Sequence, residues 1–304
     1  MKQLLNVPAP AKLNIFLHVT GRRPDGYHLL HSLFVLIDWA DTLHFERRND
    51  GQLRRHDLNT PLPDYDLCLQ AAQLLQEQSS CAWGVDISIN KQLPSGAGMG
   101  GGSSDAATTL LALNRLWDLN WPKNRLLSLA LQLGADVPFF VGGDNAIVTG
   151  IGEQLSPLQV PAMRYAVIKP ETSVETRSIF TSPDLMRDDL PAPILIEGQS
   201  ELILSCLDIE QLLLASHNSL QPVAEVLCPE ITQVVSWLQH QWGNARMTGS
   251  GSAVFAIETT EKSKIDSKKG LSCAYNHSLT DLPSGWLGKI CQGLPSHPLK
   301  NWAS

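Results

Sequence analysis

The chain has 304 residues, enough to bury a sizeable core and to form two domains. With 43% hydrophobic and 17% charged residues, it has the composition of an ordinary globular enzyme rather than a disordered or fibrous chain. Its net charge of −7 excludes a broad basic surface for duplex nucleic acid or an anionic membrane, while a local basic spot for a small phosphorylated ligand stays open.

The start, "MKQLLNVPAPAKLN", carries no apolar run long enough for a signal peptide, and no segment is apolar enough to span a bilayer. Residues 13–19, "LNIFLHV", alternate with strand period. Leu13, Ile15, Leu17 and Val19 face one way, and Lys12, Asn14, Phe16 and His18 share the less apolar face. Asp25-Gly26 then signals a turn, which puts Tyr27 and His28 on a loop. Further strands are expected at 33–38, 42–47, 85–90, 145–149 and 164–169.

An amphipathic helix is expected from Asp66 to Gln78, with Leu67, Ala71, Leu74 and Leu75 inward. Ala106, Leu110, Leu113 and Trp117 form a second stripe. Leu126, Leu127, Ala130 and Leu133 form a third, stopped by Gly134. Strands and helices mix without regular alternation, which points to an α+β fold. Pro157 to Met163 is the expected inter-domain passage, dividing the chain into residues 1–160 and 161–304. Beyond it come helices near 200–214 and 229–241 and a second glycine-bearing turn in "MTGSGSAVFAI". Residues 258–283 show no persuasive period and read as surface loop.

The six cysteines are scattered, without a Cys-x-x-Cys pair, which argues against a zinc site or disulfide framework and fits a reducing cytoplasm. The other histidines and the tryptophans show no ligand spacing and are assigned to packing or surface.

The most informative stretch is "PSGAGMGGGSSDAATTLLALNRLW", from Pro94 to Trp117. Gly96-x-Gly98-x-x-Gly101 matches a dinucleotide fingerprint by spacing alone, but it lies too far along the chain and lacks the acid ending a second strand. A Walker A loop needs Lys before the Ser/Thr, and here Gly102 precedes Ser103. A protein-kinase loop would run into a strand, not a helix. What survives is a strand feeding a loop of free backbone N–H groups and then a helix starting near Ser103, Ser104 and Asp105. Small residues let a phosphate approach the backbone, and the helix end adds roughly half a positive charge. The alternative is a flexible surface loop capped by Ser or Asp. Asp105 itself reads as a helix-start cap.

"PAKLNIFLHVTGRRPDGYH", "LPSGAGMGGGSSDAA", "LGADVPFF" and "RMTGSGSAVFA" resemble the ordered motifs of the GHMP small-molecule kinases. The resemblance covers roughly residues 8–256, with an echo at "LPSGWLGKICQGLPSHPL" near the end. Residues 258–283 depart from it, because the family would place a helix there.

The resemblance implies a two-domain GHMP kinase fold with the active site in the cleft between domains, and a cytoplasmic enzyme of non-mevalonate isoprenoid synthesis. The implied reaction moves the γ-phosphoryl group of ATP, with Mg2+ expected, to the 2-hydroxyl of a cytidine diphosphate derivative of methylerythritol. No nucleic-acid, membrane or protein partner is implied.

By the same resemblance Pro94, Ser95, Gly96, Ala97, Gly98, Met99, Gly100, Gly101, Gly102, Ser103 and Ser104 hold ATP. No metal ligand is assigned; a hydroxyl of Ser103 or Ser104 is the expected magnesium contact. Lys12 matches the catalytic lysine, able to stabilise the transferred phosphoryl group; otherwise it is a solvated edge charge. Asp136 matches the base taking the substrate proton; otherwise it caps a short helix. Asn14 is a substrate contact, Tyr27 stacks on the cytosine ring, His28 bonds its edge and Phe180 closes the other face, with a buried Tyr-His core pair as the alternative. Another GHMP kinase, for homoserine, mevalonate or a sugar, and a silent nucleotide-binding sensor are the rival functions.

Overall fold

The computed structural model describes residues 2–64, 66–188, 203–258 and 279–303. Two long strands, β1 (Gln3–Arg22) and β2 (His28–Arg48), open the chain and pair antiparallel along almost their full length, with bulges at four points. This pairing extends the strand expected at 13–19 in both directions. The face carrying Lys12, Asn14, Phe16 and His18 is as buried as the opposite one, because the sheet is covered on both sides here. Alternation in the sequence distinguished the two faces but not exposed from buried.

β3 (Leu53–Asp57) precedes the helix α1 (Leu67–Ser79), capped by Asp66, whose carboxylate accepts from the Leu69 N–H at 3.0 Å. β4 (Gly84–Asn90) lies between β2 and β3, parallel to β3 and antiparallel to β2. The chain then enters α2 (Gly101–Leu116), α3 (Lys123–Leu133) and the short α4 (Val137–Gly142). The expected stripe of α2 belongs to a helix buried nearly all round, from Ser104 to Asn114 and at Leu116. A helix enclosed in this way is fixed in place, and so is its N-terminal end. β5 (Ala146–Thr149) pairs with β2 and with β6 (Gln154–Pro157).

The expected inter-domain passage is packed rather than free: Leu158, Val160 and Met163 are buried in one cluster with Leu13, Phe16 and Tyr165. It leads to β7 (Arg164–Lys169), then α5 (Thr176–Phe180), α6 (Cys206–Ala215), α7 (Gln221–Leu227) and α8 (Pro229–Trp242). β8 (Arg246–Met247) and β9 (Val254–Ile257) follow, and β10 (Leu287–Leu294) closes the sheet. Most of the loop expected at 258–283 lies outside the described residues, as do the first residues of the helix expected from 200.

Among the described residues the strands form one ten-stranded mixed sheet, ordered β3-β4-β2-β10-β7-β9-β8, with β1 and β5 also on β2. β10 is the joint. Its Leu287–Gln292 pair antiparallel with β7, and Gly293 and Leu294 pair with Ile37 and Leu36 of β2. The last strand therefore fastens the two halves of the sheet together. The sequence signalled it only as an echo, since its residues alternate weakly. The helices α1 to α4 pack on β2 and β4, and α7 and α8 pack on β7 to β9, giving the α+β arrangement.

Candidate active site

Between the halves lies a cleft of about 1170 Å³ lined by both glycine turns, Lys12, Asn14, Tyr27, His28, Asp136 and Phe180. Of the residues expected at the site, Pro94 to Gly102 line it, while Ser103 and Ser104 do not.

The glycine loop is pinned, not flexible. Lys12 N–H donates to the Met99 carbonyl at 3.0 Å, and Ala97 and Met99 are buried. The second turn grips it from the other half, where Ser252 N–H and Ala253 N–H donate to the carbonyls of Gly96 and Ala97 at 3.0 and 3.2 Å. Glycine is required where the turns cross. Gly98 has φ +71°, and a Cβ there would stand 2.3 Å from the Thr248 carbonyl oxygen. Gly100, also left-handed, caps α2 with no side chain, so the helix begins at Gly101 rather than near Ser103. Its free N–H groups open on the cleft, where they can receive an anion.

Asp105 is not a cap. It sits inside α2, 3% exposed, with its Oδ2 2.6 Å from Lys91 Nζ; Lys91 also pairs with the buried Asp41. Burial pushes the Asp105 carboxyl up, Lys91 opposes this, and Asp41 adds to it. Burial works against the Lys91 charge, but Asp105 and Asp41 outweigh it and hold its pKa above the usual lysine value. No sequence pattern announced this triad, since its members come from β2, α2 and the turn after β4.

Lys12 is no edge charge: it is 3% exposed, with Nζ 3.6 Å from Asp136 Oδ2, 2.6 Å from Asn14 Oδ1 and 4.6 Å from the centre of the Phe34 ring. Burial lowers its pKa, and the Asp136 carboxylate only partly offsets that. Asp136 stands at the N-cap of α4 but makes no side-chain cap bond, which leaves its carboxylate to Lys12 and the cleft.

Asn14, fully buried, is chiefly a support for Lys12. Its Oδ1 accepts from Lys12 Nζ and from Thr248 Oγ1 at 3.1 Å, and its Nδ2 donates to Ser32 Oγ at 2.9 Å. Ser32 Oγ gives its single proton to the Phe16 carbonyl, so it can only accept from Asn14. That turns the amide NH2 toward Ser32 and the amide oxygen toward the ammonium. One N–H of Asn14 lies outside the bond to Ser32. Thr248 and Ser32 had no assigned role in the sequence; the "TGSG" glycine cluster was the one signal near either.

At the far end of the cleft, Tyr27 is 60% exposed, which rules out a Tyr-His core pair. His28 Nε2 donates to the Phe180 carbonyl at 3.1 Å, and the two rings lie 5.2 Å apart and tilted at 36°. This bond puts the ring proton on Nε2 and leaves Nδ1 as an acceptor, buried and without a protein partner. Burial lowers the His28 pKa more than the Phe180 carbonyl raises it, which favours the neutral ring. Among the described residues no three His, Cys, Asp or Glu side chains converge as a metal site. Ser104 Oγ is fully buried and donates to the Pro10 carbonyl at 2.6 Å, so it does not fit the expected magnesium contact. Among the described residues no helix is long and apolar enough to cross a membrane.

Residues 66–144 match the GHMP kinases N terminal domain, and residues 203–268 match GHMP kinases C terminal. Similar over full length are the 4-diphosphocytidyl-2-C-methyl-D-erythritol kinases of Methylibium petroleiphilum and Paracidovorax citrulli. The first is 54% identical over 100% of this chain and 99% of its own, and the second 50% identical over the same shares. A crystal structure of 4-(cytidine 5′-diphospho)-2C-methyl-D-erythritol kinase matches at 32% identity and TM-score 0.71, over 96% of this chain and 99% of that one. Homoserine kinase from Cytophaga hutchinsonii shares the fold at 17% identity and TM-score 0.65, over 98% of this chain and 96% of that one.

Proposed function

The chain belongs to the GHMP kinases, within the 4-diphosphocytidyl-2-C-methyl-D-erythritol kinase family, and on that premise we propose the following division of labour in its cleft. The enzyme transfers the γ-phosphoryl group of ATP to the 2-hydroxyl of 4-diphosphocytidyl-2-C-methyl-D-erythritol, in isoprenoid precursor synthesis by the non-mevalonate pathway. The observation that carries the mechanism is the ion pair of Lys12 and Asp136, 3.6 Å apart beside the first turn of α2.

A tertiary hydroxyl is a poor nucleophile at neutral pH. Asp136 takes its proton as the new O–P bond forms and the bond from the γ-phosphorus to the ADP oxygen breaks. The Lys12 ammonium, held on the Asn14 amide oxygen, steadies the charge on the equatorial oxygens in flight. The backbone of Pro94 to Gly102 and the N-terminus of α2 hold the ATP phosphates. Mg2+ supplies charge neutralisation when bound to those phosphates. Ser103 remains beside the loop as a polar neighbour, and Ser104 acts as a brace on β1 through Pro10.

At the base end, Tyr27 and Phe180 offer aromatic faces to cytosine. Nδ1 of neutral His28 accepts from its 4-amino group, and the spare Asn14 N–H faces the substrate. Residues 1–160 form the ATP-binding domain and 161–304 the second domain, with β10 joining them. The setting is cytoplasmic, supported by the free thiols of the five described cysteines.

A coupled ADP-release assay tests the reading, run with the cytidyl substrate beside homoserine and mevalonate. Turnover with the cytidyl substrate alone is the expected result; turnover with homoserine or mevalonate instead would refute it.

A further inference from the structure

Among the described residues three cationic side chains line the cleft: Lys12, Lys91 and Arg177. Lys12 faces Asp136, and Lys91 faces both Asp41 and Asp105, so neither brings uncompensated charge. Arg177, by contrast, has no carboxylate in ion-pair reach among the described residues, and it is exposed on the cleft wall.

Its place in the fold is specific. The segment 173–180 runs along the wall from one end of the site to the other. At one end Ser173 stands against the glycine loop, where a Cβ on Gly96 would lie 2.8 Å from its Oγ. Next, Thr176 Oγ1 shares a 2.7 Å hydrogen bond with Ser250 Oγ of the second glycine turn. At the other end the Phe180 carbonyl accepts from His28. Arg177 thus follows the residue tied to the phosphate-side turns and precedes by three the residue tied to the base-end histidine.

We infer that Arg177 binds the diphosphate of the cytidyl substrate, and so sets the preference for a nucleoside diphosphate handle. The inference rests on the function proposed above. In that substrate the diphosphate links cytosine and ribose to the sugar alcohol, so it must cross the span between His28 and the Lys12–Asp136 pair. A chain of net charge −7 needs a local cation for a doubly charged bridge. The planar guanidinium fork suits phosphate oxygens, with two parallel donors.

Steady-state kinetics on the wild type, Arg177→Gln and Arg177→Lys test this, with inhibition by cytidine 5′-diphosphate and by cytidine measured on each. Arg177→Gln is expected to raise KM for the cytidyl substrate about 10- to 100-fold, the range for losing charged hydrogen bonds. KM for ATP should stay within about twofold, and Arg177→Lys should fall between wild type and Gln. Inhibition by cytidine 5′-diphosphate should weaken in parallel, while inhibition by cytidine stays constant. A rise in KM for ATP instead would reassign Arg177 to the triphosphate and overturn the inference. So would equal weakening for cytidine and its diphosphate, which would mean a structural effect through Phe180. Unchanged constants for both substrates would overturn it too, leaving the function intact. A wild type inactive on the cytidyl substrate would instead remove the function on which the inference stands.

Discussion

Lys12 on β1 and Asp136 before α4 owe their partnership to packing, and each is shaped by it. The ammonium is nearly enclosed, and burial lowers its pKa despite the carboxylate beside it. If Lys12 acts protonated, turnover declines on the alkaline side at a pH below that of an ordinary lysine, near 10.4. Asp136→Asn keeps the shape and removes the base. It is expected to lower kcat roughly 10²- to 10⁴-fold, with both Michaelis constants little changed. A folded Asp136→Asn variant with near-wild-type kcat would leave Lys12 to carry the reaction alone. The residue types at 12 and 136 were readable from their motifs. What the sequence could not tell was that Asn14, besides holding Lys12, spends its hydrogen-bonding capacity on Thr248 and Ser32, because those two partners arrive from the second glycine turn and from β2.

At the scale of elements, the glycine loop and the "TGSG" turn form one interlocked unit from opposite halves of the sheet. Two glycines of the loop therefore fail differently when replaced. A Cβ on Gly98 meets the Thr248 carbonyl at 2.3 Å and the Gly251 N–H nitrogen at 2.8 Å, and the residue is left-handed. Gly98→Ala is expected to destabilise the protein by about 1–3 kcal/mol, read by urea unfolding, since neither backbone can yield cheaply. Gly101 opens α2, and a Cβ there meets nothing nearer than Leu93 Cδ1 at 3.4 Å. Gly101→Val should fold normally yet weaken ATP binding at least about tenfold by calorimetry, because bulk then stands where a phosphate reaches the helix end. Unchanged ATP affinity in that folded variant would show that the helix end is not the phosphate site. The clustering of glycines announced a close backbone approach, but the sequence did not distinguish the glycines facing the other turn from those facing the ligand.

For the whole molecule, stability depends on groups far from the chemistry. His297 is 1% exposed beyond β10; its Nδ1 accepts from Leu299 N–H at 3.1 Å, and burial lowers its pKa to about 4. The folded state therefore refuses a proton that the unfolded chain takes up below about pH 6.5. Its contribution is complete above pH 6.5 and is lost as pH falls toward 4, at up to about 1.4 kcal/mol per pH unit. Urea unfolding of the wild type should show stability falling over that window, and His297→Gln should flatten the slope while starting lower at pH 7. An unaltered slope in the variant would assign the acid loss elsewhere, with His18, also lowered to about 4 chiefly by burial, as the next group to test. Local pattern by itself determined the amphipathic helices, the glycine-rich approach before α2, the α+β class and the motifs that mark a GHMP kinase, because periodicity, turn chemistry and motif spacing act between near neighbours. Only the tertiary structure decided that the polar face of β1 is buried, that Asp105 joins Lys91 and Asp41 rather than capping α2, and that β10 fastens the two halves of the sheet. These outcomes depend on which surfaces meet across long chain separations, where the free energy of burial and pairing is set by partners that no local window contains.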